Sequence, residues 1–176
     1  MKKIALILTI AFAFTSFFVN AQDEKPAPSP FCKTEQKVGT TDVTIEYSRP
    51  GVKDRKVFGE LVPFGKMWRT GANAATKITF SKDVKVDGKD LAAGSYALFT
   101  TPGEESWEVH FFKHTTNSAG GYGDAKPALT VKASVGSLAG NGVETFLIFV
   151  DQLRDDSGQL MFVWENTFAW VGLGVM

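Results

Sequence analysis

The amino-acid sequence predicts an all-β fold: an antiparallel β-sandwich or a jelly-roll-like barrel of about nine strands, with one long ordered loop. Three observations predict it. Apolar and polar residues alternate at period two, as in Val43, Ile45 and Tyr47 against Asp42, Thr44, Glu46 and Ser48. Turn chemistry separates the alternating runs: Asp87-Gly88, Pro102-Gly103 and Asp156-Ser157-Gly158 suit hairpins, because Gly accepts a positive φ without a Cβ clash. Finally, no long segment carries a helical period.

The elements follow in order. Lys2 and Lys3 precede an apolar run from Ile4 to Val19, and Val19-Asn20-Ala21 closes it. A charged start, an apolar middle and a small residue at the cut form a secretory signal peptide, expected over residues 1–21. The apolar run is shorter than the roughly 20 residues that span a bilayer, so no membrane span is expected in the mature chain. Residues 22–31 read as a Pro-rich linker, with Pro26, Pro28 and Pro30 favouring an extended chain. Residues 32–176 then form a single β domain, long enough to bury a core without a metal or disulfide staple. Its strands are expected at Thr41–Ser48, Thr76–Ser81, Val84–Val86, Ser95–Thr101, Trp107–Lys113, Leu129–Val135, Val143–Val150, Gln159–Glu165 and Phe168–Val175. The late runs Phe146–Val150 and Leu160–Trp164 are apolar at consecutive positions. They are expected to sit centrally, their second face covered by the segment from Arg49 to Ala75. Val57–Trp68 is interrupted by Gly59, Pro63 and Gly65 and reads as a short helix or an ordered loop.

Composition narrows the partners. Without Lys2 and Lys3, the 19 basic residues become 17, against 19 acidic ones. No basic patch appears, so nucleic acid is not an expected partner. Cys32 is the only cysteine, which excludes an internal disulfide. It lies too far beyond the apolar run for lipid attachment and reads as a thiol near the start of the fold.

The candidate site lies in the long connection after the first expected strand. A loop of more than about 20 residues in a compact β domain is long, and such loops are often functional. Arg49, Arg55 and Arg69 fall in it near Tyr47, Trp68 and Asn73. Guanidinium forks beside aromatic rings suit a carboxylate, a phosphate or a sugar face. The candidate ligand-binding residues are Tyr47, Arg49, Trp68, Arg69, Asn73 and Glu165. The same residues also admit a framework role, with Glu165 pairing Arg69.

Other chemistry is weaker. His110 and His114, on a strand, would stand about 13 Å apart, too far for one metal, so no metal site is expected. No cofactor is implied. Gly120-Gly121-Tyr122-Gly123 lacks the Lys-Ser/Thr ending of a phosphate loop and reads as a mobile surface loop. No catalytic residue is assignable, and no Gly-x-Ser-x-Gly elbow is present.

One set of residues goes further. Arg49-Pro50, the block from Gly59 to Asn73, Ala93-Gly94-Ser95-Tyr96-x-Leu98-Phe99-Thr100 and Trp164-Glu165 resemble the DUF2911 family. The resemblance covers the chain from about Cys32 onward. It implies an exported bacterial β domain of unknown function, of a kind frequent in Bacteroidetes, and brings no catalytic assignment. Three functions are thus open: a binding module for a small extracellular ligand, carbohydrate or anionic; an envelope structural or protein-interaction domain; and a hydrolase-like enzyme with a spatially assembled site. Oligomeric state is open as well.

Overall fold

A computed structural model describes residues 25–175. The expected signal peptide lies outside the described residues. The strands are β1 (Phe31–Val38), β2 (Thr41–Ser48), β3 (Ala72–Phe80), β4 (Val84–Val86), β5 (Lys89–Leu91), β6 (Gly94–Thr101), β7 (Ser106–Lys113), β8 (Leu129–Ser137), β9 (Val143–Asp151), β10 (Ser157–Glu165) and β11 (Thr167–Val175). All pair antiparallel in one sheet, in the order β1-β2-β3-β6-β7-β8-β11-β10-β9. The sheet curls into a nearly closed barrel, the barrel alternative of the expected all-β fold.

Two strands were not legible in the sequence. β1 is an edge strand whose side chains, the buried Val38 apart, run from exposed to half-buried, so apolar alternation does not mark it. β5 is three residues long and pairs with β4 across the Asp87-Gly88 turn. β4 also pairs with the end of β11, Leu173 opposite Val86, which lays the β4–β5 hairpin over one end of the barrel. Val84, Val86 and Leu91 seal that end.

Alternation sets the core. Val43, Ile45, Ile78, Leu98, Trp107, Val109, Phe111, Phe146, Ile148, Leu160, Phe162, Trp164 and Val171 all point inward and are buried. On the outer face of β3, β6 and β7 a second cluster forms from Ala75, Ala97, Phe99 and Phe112, covered by Tyr122. Tyr122 caps the 3-10 turn Ala119–Tyr122, stacks near Phe99 at 5.3 Å and Phe112 at 5.7 Å, and donates its hydroxyl to Thr116 O at 2.7 Å. The Gly120–Gly123 segment is therefore an anchored lid over an apolar cluster, not a mobile loop. Its three glycines hid the one ring that matters.

The placement of the late strands also differs from expectation. β9 ends the strand order, and the outward faces of β9 and β10 are not covered by the Arg49–Ala75 segment. Leu147, Phe149, Met161 and Val163 instead form a shallow apolar strip with Phe168. Phe168 stacks on Trp170 at 5.3 Å and lies over Gly136, where an added Cβ would meet the ring at 2.3 Å. Gly136 is thus required by the close approach of the ring.

The seam between the two ends of the sheet is closed by the chain just after β2. Gly51 bridges Thr145; Phe146 N donates to Pro50 O at 3.0 Å and Val52 N to Glu144 O at 2.8 Å. Tyr47 adds a side-chain clasp: Ile148 N donates to its hydroxyl at 2.9 Å, and the hydroxyl donates to Ile148 O at 3.3 Å. Arg49 Nε donates to Phe146 O at 3.0 Å. Burial pushes the Tyr47 phenol up to about 12 from an ordinary 10, with the neighbouring Cys32 thiol adding to the shift and the Ile148 backbone and Arg49 opposing it. Removing the hydroxyl leaves buried backbone groups unpaired, so Tyr47→Phe should cost about 1–3 kcal/mol in denaturant unfolding at neutral pH. A raised phenol favours the folded state fully below the unfolded value near 10 and loses that contribution as pH rises through about 12. The stability gap between wild type and Tyr47→Phe should therefore narrow between pH 10 and 12; a constant gap would refute the clasp as its source.

Candidate functional site

The chain from Arg49 to Gly71 closes the other end of the barrel. It forms no helix; short turns and isolated bridges hold it. Val57, Phe58 and Val62 are buried and enter the barrel mouth, while Gly59, Glu60 and Leu61 stay outside. Phe58 is the plug. Its ring lies 4.8 Å from Trp107, 6.2 Å from Trp164 and 6.3 Å from Trp68. Trp68 in turn stacks on Trp164 at 5.8 Å and tilts against Phe146 at 5.0 Å. Offset and edge-on aromatic contacts of this kind add about 0.5–1.5 kcal/mol per pair beyond burial.

Polar bonds fix the plug to the barrel rim. Val57 N donates to Glu165 Oε2 at 3.3 Å, and Trp164 Nε1 donates to Glu144 O at 3.2 Å. Trp68 pairs with the end of β6 by Trp68 N to Thr100 O at 2.7 Å and Thr100 N to Trp68 O at 2.9 Å. Its indole Nε1 donates to Gly71 O at 3.0 Å. The buried Thr70 donates to Thr100 Oγ1 at 3.1 Å, and Thr76 Oγ1 donates to Thr70 O at 2.7 Å. Thr70 carries φ +53, a left-handed conformation costly for a β-branched residue. That turn buries Thr70 and leaves Trp68 and Arg69 half-buried on the wall of a cleft.

The cleft measures about 380 Å³ and is lined by Pro28, Ser29, Lys53, Arg55, Leu61, Trp68, Arg69 and Trp164, among others. It holds three cations and no carboxylate in its lining. Arg55 is partly engaged, with Nη2 donating to Gly51 O at 2.7 Å and Nε to Val52 O at 2.9 Å. Lys53 Nζ reaches Pro28 O at 3.4 Å. Arg69 differs: its Nε is buried and has no hydrogen-bond partner.

Of the six residues singled out in the sequence, Trp68 and Arg69 line the cleft. Tyr47 and Arg49 tie the seam, and Glu165 ties the plug. Glu165 accepts from Val57 N and forms no ion pair with Arg69 among the described contacts. Asn73 sits at φ +58 in a bulge of β3 and donates to Ser29 O at 3.2 Å. Lys53 and Trp164 complete the cleft but were not picked out. Trp164 backs the cleft from the core, where it is buried. His110 stands apart, half-buried between Thr101 Oγ1 and Thr130 Oγ1, each at 3.0 Å, and burial lowers its pKa.

Fold and site together define a small β-barrel, stoppered by its own loop, with a cationic and aromatic cleft at the stopper's edge. The family described as "Protein of unknown function (DUF2911)" matches residues 29–172, and the chain belongs to it. No curated protein and no solved structure matches the chain.

The plug makes a direct prediction. Phe58→Ala empties space among Trp68, Trp107 and Trp164, so unfolding free energy should fall by about 3–5 kcal/mol. Tryptophan emission of the folded variant should shift to the red as water reaches the mouth. A loss below about 1 kcal/mol would mean that the loop rests on the barrel without filling it.

Proposed function

We propose that the protein is exported and that the cleft beside its plug binds a small anionic ligand. The observation that carries this reading is Arg69: a guanidinium on the wall of a cleft, with a buried Nε that meets no acceptor of the protein. An unmet buried donor costs on the order of 1–3 kcal/mol, more for a charged group, and an anion seated on the same guanidinium would offset that cost by charge. Lys53 and Arg55 raise the positive potential of the same cleft, and its volume falls in the range of small-molecule sites.

The lining favours an anion over a neutral sugar. A neutral sugar gains only ordinary hydrogen bonds from Lys53, Arg55 and Arg69, whereas an anion gains charge-assisted ones from all three. The half-buried indole of Trp68, backed by the buried Trp164, suits a flat or apolar body attached to the anionic group. Three cations and the half-buried Trp68 ring make a recognition set, whereas general acid–base chemistry asks for a group titrating near neutral pH.

Arg69→Ala tests the reading. Without ligand, its unfolding free energy should stay within about 1 kcal/mol of wild type or rise, because a costly buried group is removed. Binding of phosphate or a small dicarboxylate, measured by calorimetry at low salt, should weaken about 10–100-fold. A stability loss of about 3 kcal/mol or more would assign Arg69 to the framework and overturn the proposal.

A further inference from the structure

Five large apolar side chains stand exposed among the described residues, and three of them share one short stretch: Leu61 at 42 %, Phe64 at 38 % and Met67 at 44 %. They belong to the plugging loop but take no part in plugging. That role falls to Val57, Phe58, Val62 and Trp68, their immediate neighbours. Isolated exposed apolar residues need no explanation, but three on one loop tip do.

The same stretch is positively charged. Lys53, Arg55, Lys56, Lys66 and Arg69 stand against Asp54 and Glu60. Glu60 lies 3.8 Å from Lys56 in an exposed pair, and Glu104 lies beside Phe64 in a neighbouring groove. The loop is also held in shape. Gly65 N donates to Pro102 O at 2.9 Å, Gly59 N to Val62 O at 3.0 Å, and Phe64 rests against Gly59, where an added Cβ would meet its ring at 3.0 Å. The tips are therefore presented without an ordering cost at contact.

We propose that this end of the barrel docks on an anionic lipid surface, with Leu61, Phe64 and Met67 entering the acyl boundary and Lys53, Lys66 and Arg69 meeting the phosphates. Apolar tips interleaved with cations are the chemistry of interfacial binding, where affinity grows with buried apolar area and with attraction to anionic headgroups. A protein partner fits less well, because protein interfaces deplete lysine from their centres, whereas at a lipid surface a lysine lays its stem on apolar ground and keeps its ammonium at the phosphate. The surface shares Lys53, Leu61 and Arg69 with the cleft but stands on Phe64 and Met67 as well.

The test is co-sedimentation of the protein, as recovered from its producing cell, with vesicles of phosphatidylcholine with and without phosphatidylglycerol. Wild type should bind the anionic vesicles, and added salt should weaken that binding. The triple variant Leu61→Ser, Phe64→Ser, Met67→Ser should lose about tenfold or more in partitioning. Lys66→Glu, a single change at an exposed position, should weaken vesicle binding several-fold without touching an apolar contact. Soluble phosphate should bind the double variant Phe64→Ser, Met67→Ser, which leaves the cleft-lining Leu61 in place, as it binds wild type. Equal binding to both vesicle types, or unchanged binding by both variants, would overturn the proposal. So would a wild type that self-associates in solution through a contact the triple variant lacks, because the tips would then serve a second copy of the chain. Loss of phosphate affinity in Arg69→Ala with vesicle binding absent throughout would leave the cleft reading standing and this one refuted.

Discussion

The hydroxyl of Tyr47 bonds both backbone groups of Ile148 at the place where the two ends of the sheet meet, and the rest of the molecule depends on that meeting. An open edge strand exposes unpaired N–H and C=O groups to aggregation. Here the edge of β9 is met by Pro50, Gly51 and Val52, by the Arg49 guanidinium and by the Tyr47 phenol. Once the seam is drawn together, the inward faces of all the long strands see one another across one core. The loop that follows Val52 is then delivered directly over the open mouth of the barrel. Seam and plug are consecutive in the chain because the first determines where the second begins.

The plug uses its two sides for different ends. Val57, Phe58, Val62 and Trp68 face the core, where Trp107, Trp164 and Phe146 receive them. Leu61, Phe64, Met67 and the cations face outward. Burial of the inner set makes the outer set rigid, and rigidity lets a loop present a ligand site without an entropic cost on binding.

Much of this was legible in the sequence. Period-two alternation marked the long strands, since a half-buried strand must show it, and turn residues marked their ends. The length and composition of the Arg49–Asn73 segment singled out the loop that carries the cleft. What escaped is what alternation cannot encode. β1 has little apolar content because it is an edge, and β5 is too short to show a period. The unbroken apolar runs of β9 and β10 suggested a covered second face, yet they describe an apolar strip on the barrel's outside. Tyr47, Arg49 and Glu165 were picked out for side-chain chemistry that they spend on backbone partners. An arginine that donates to a carbonyl and one whose nitrogen is buried without an acceptor look alike in sequence. Only burial and the list of partners separate them.

Trp68, Arg69 and Thr70 show how close framework and site stand. An extended strand would place Trp68 and Thr70 on one face and Arg69 on the other; here Trp68 and Arg69 both stand half-buried on the cleft, with Thr70 buried behind them. The positive φ at Thr70 costs energy that a glycine would avoid. The cost is met by the bonds of its hydroxyl to Thr100 and of its carbonyl to Thr76, both in buried surroundings. Gly71 follows at φ +156 and takes a backbone approach where an added Cβ would meet Thr76 Oγ1 at 2.9 Å. A threonine in that conformation, locked by two further threonines, is a device for aiming the residue before it. Arg69 is the residue aimed, and it is also the one whose buried nitrogen finds no partner within the protein. Strain held beside an unmet charge is hard to explain as a means of stabilising the barrel, since a relaxed turn with a paired or apolar residue would do so better. On the proposal that the cleft binds an anion, the strain is the cost of holding that charge ready at the cleft.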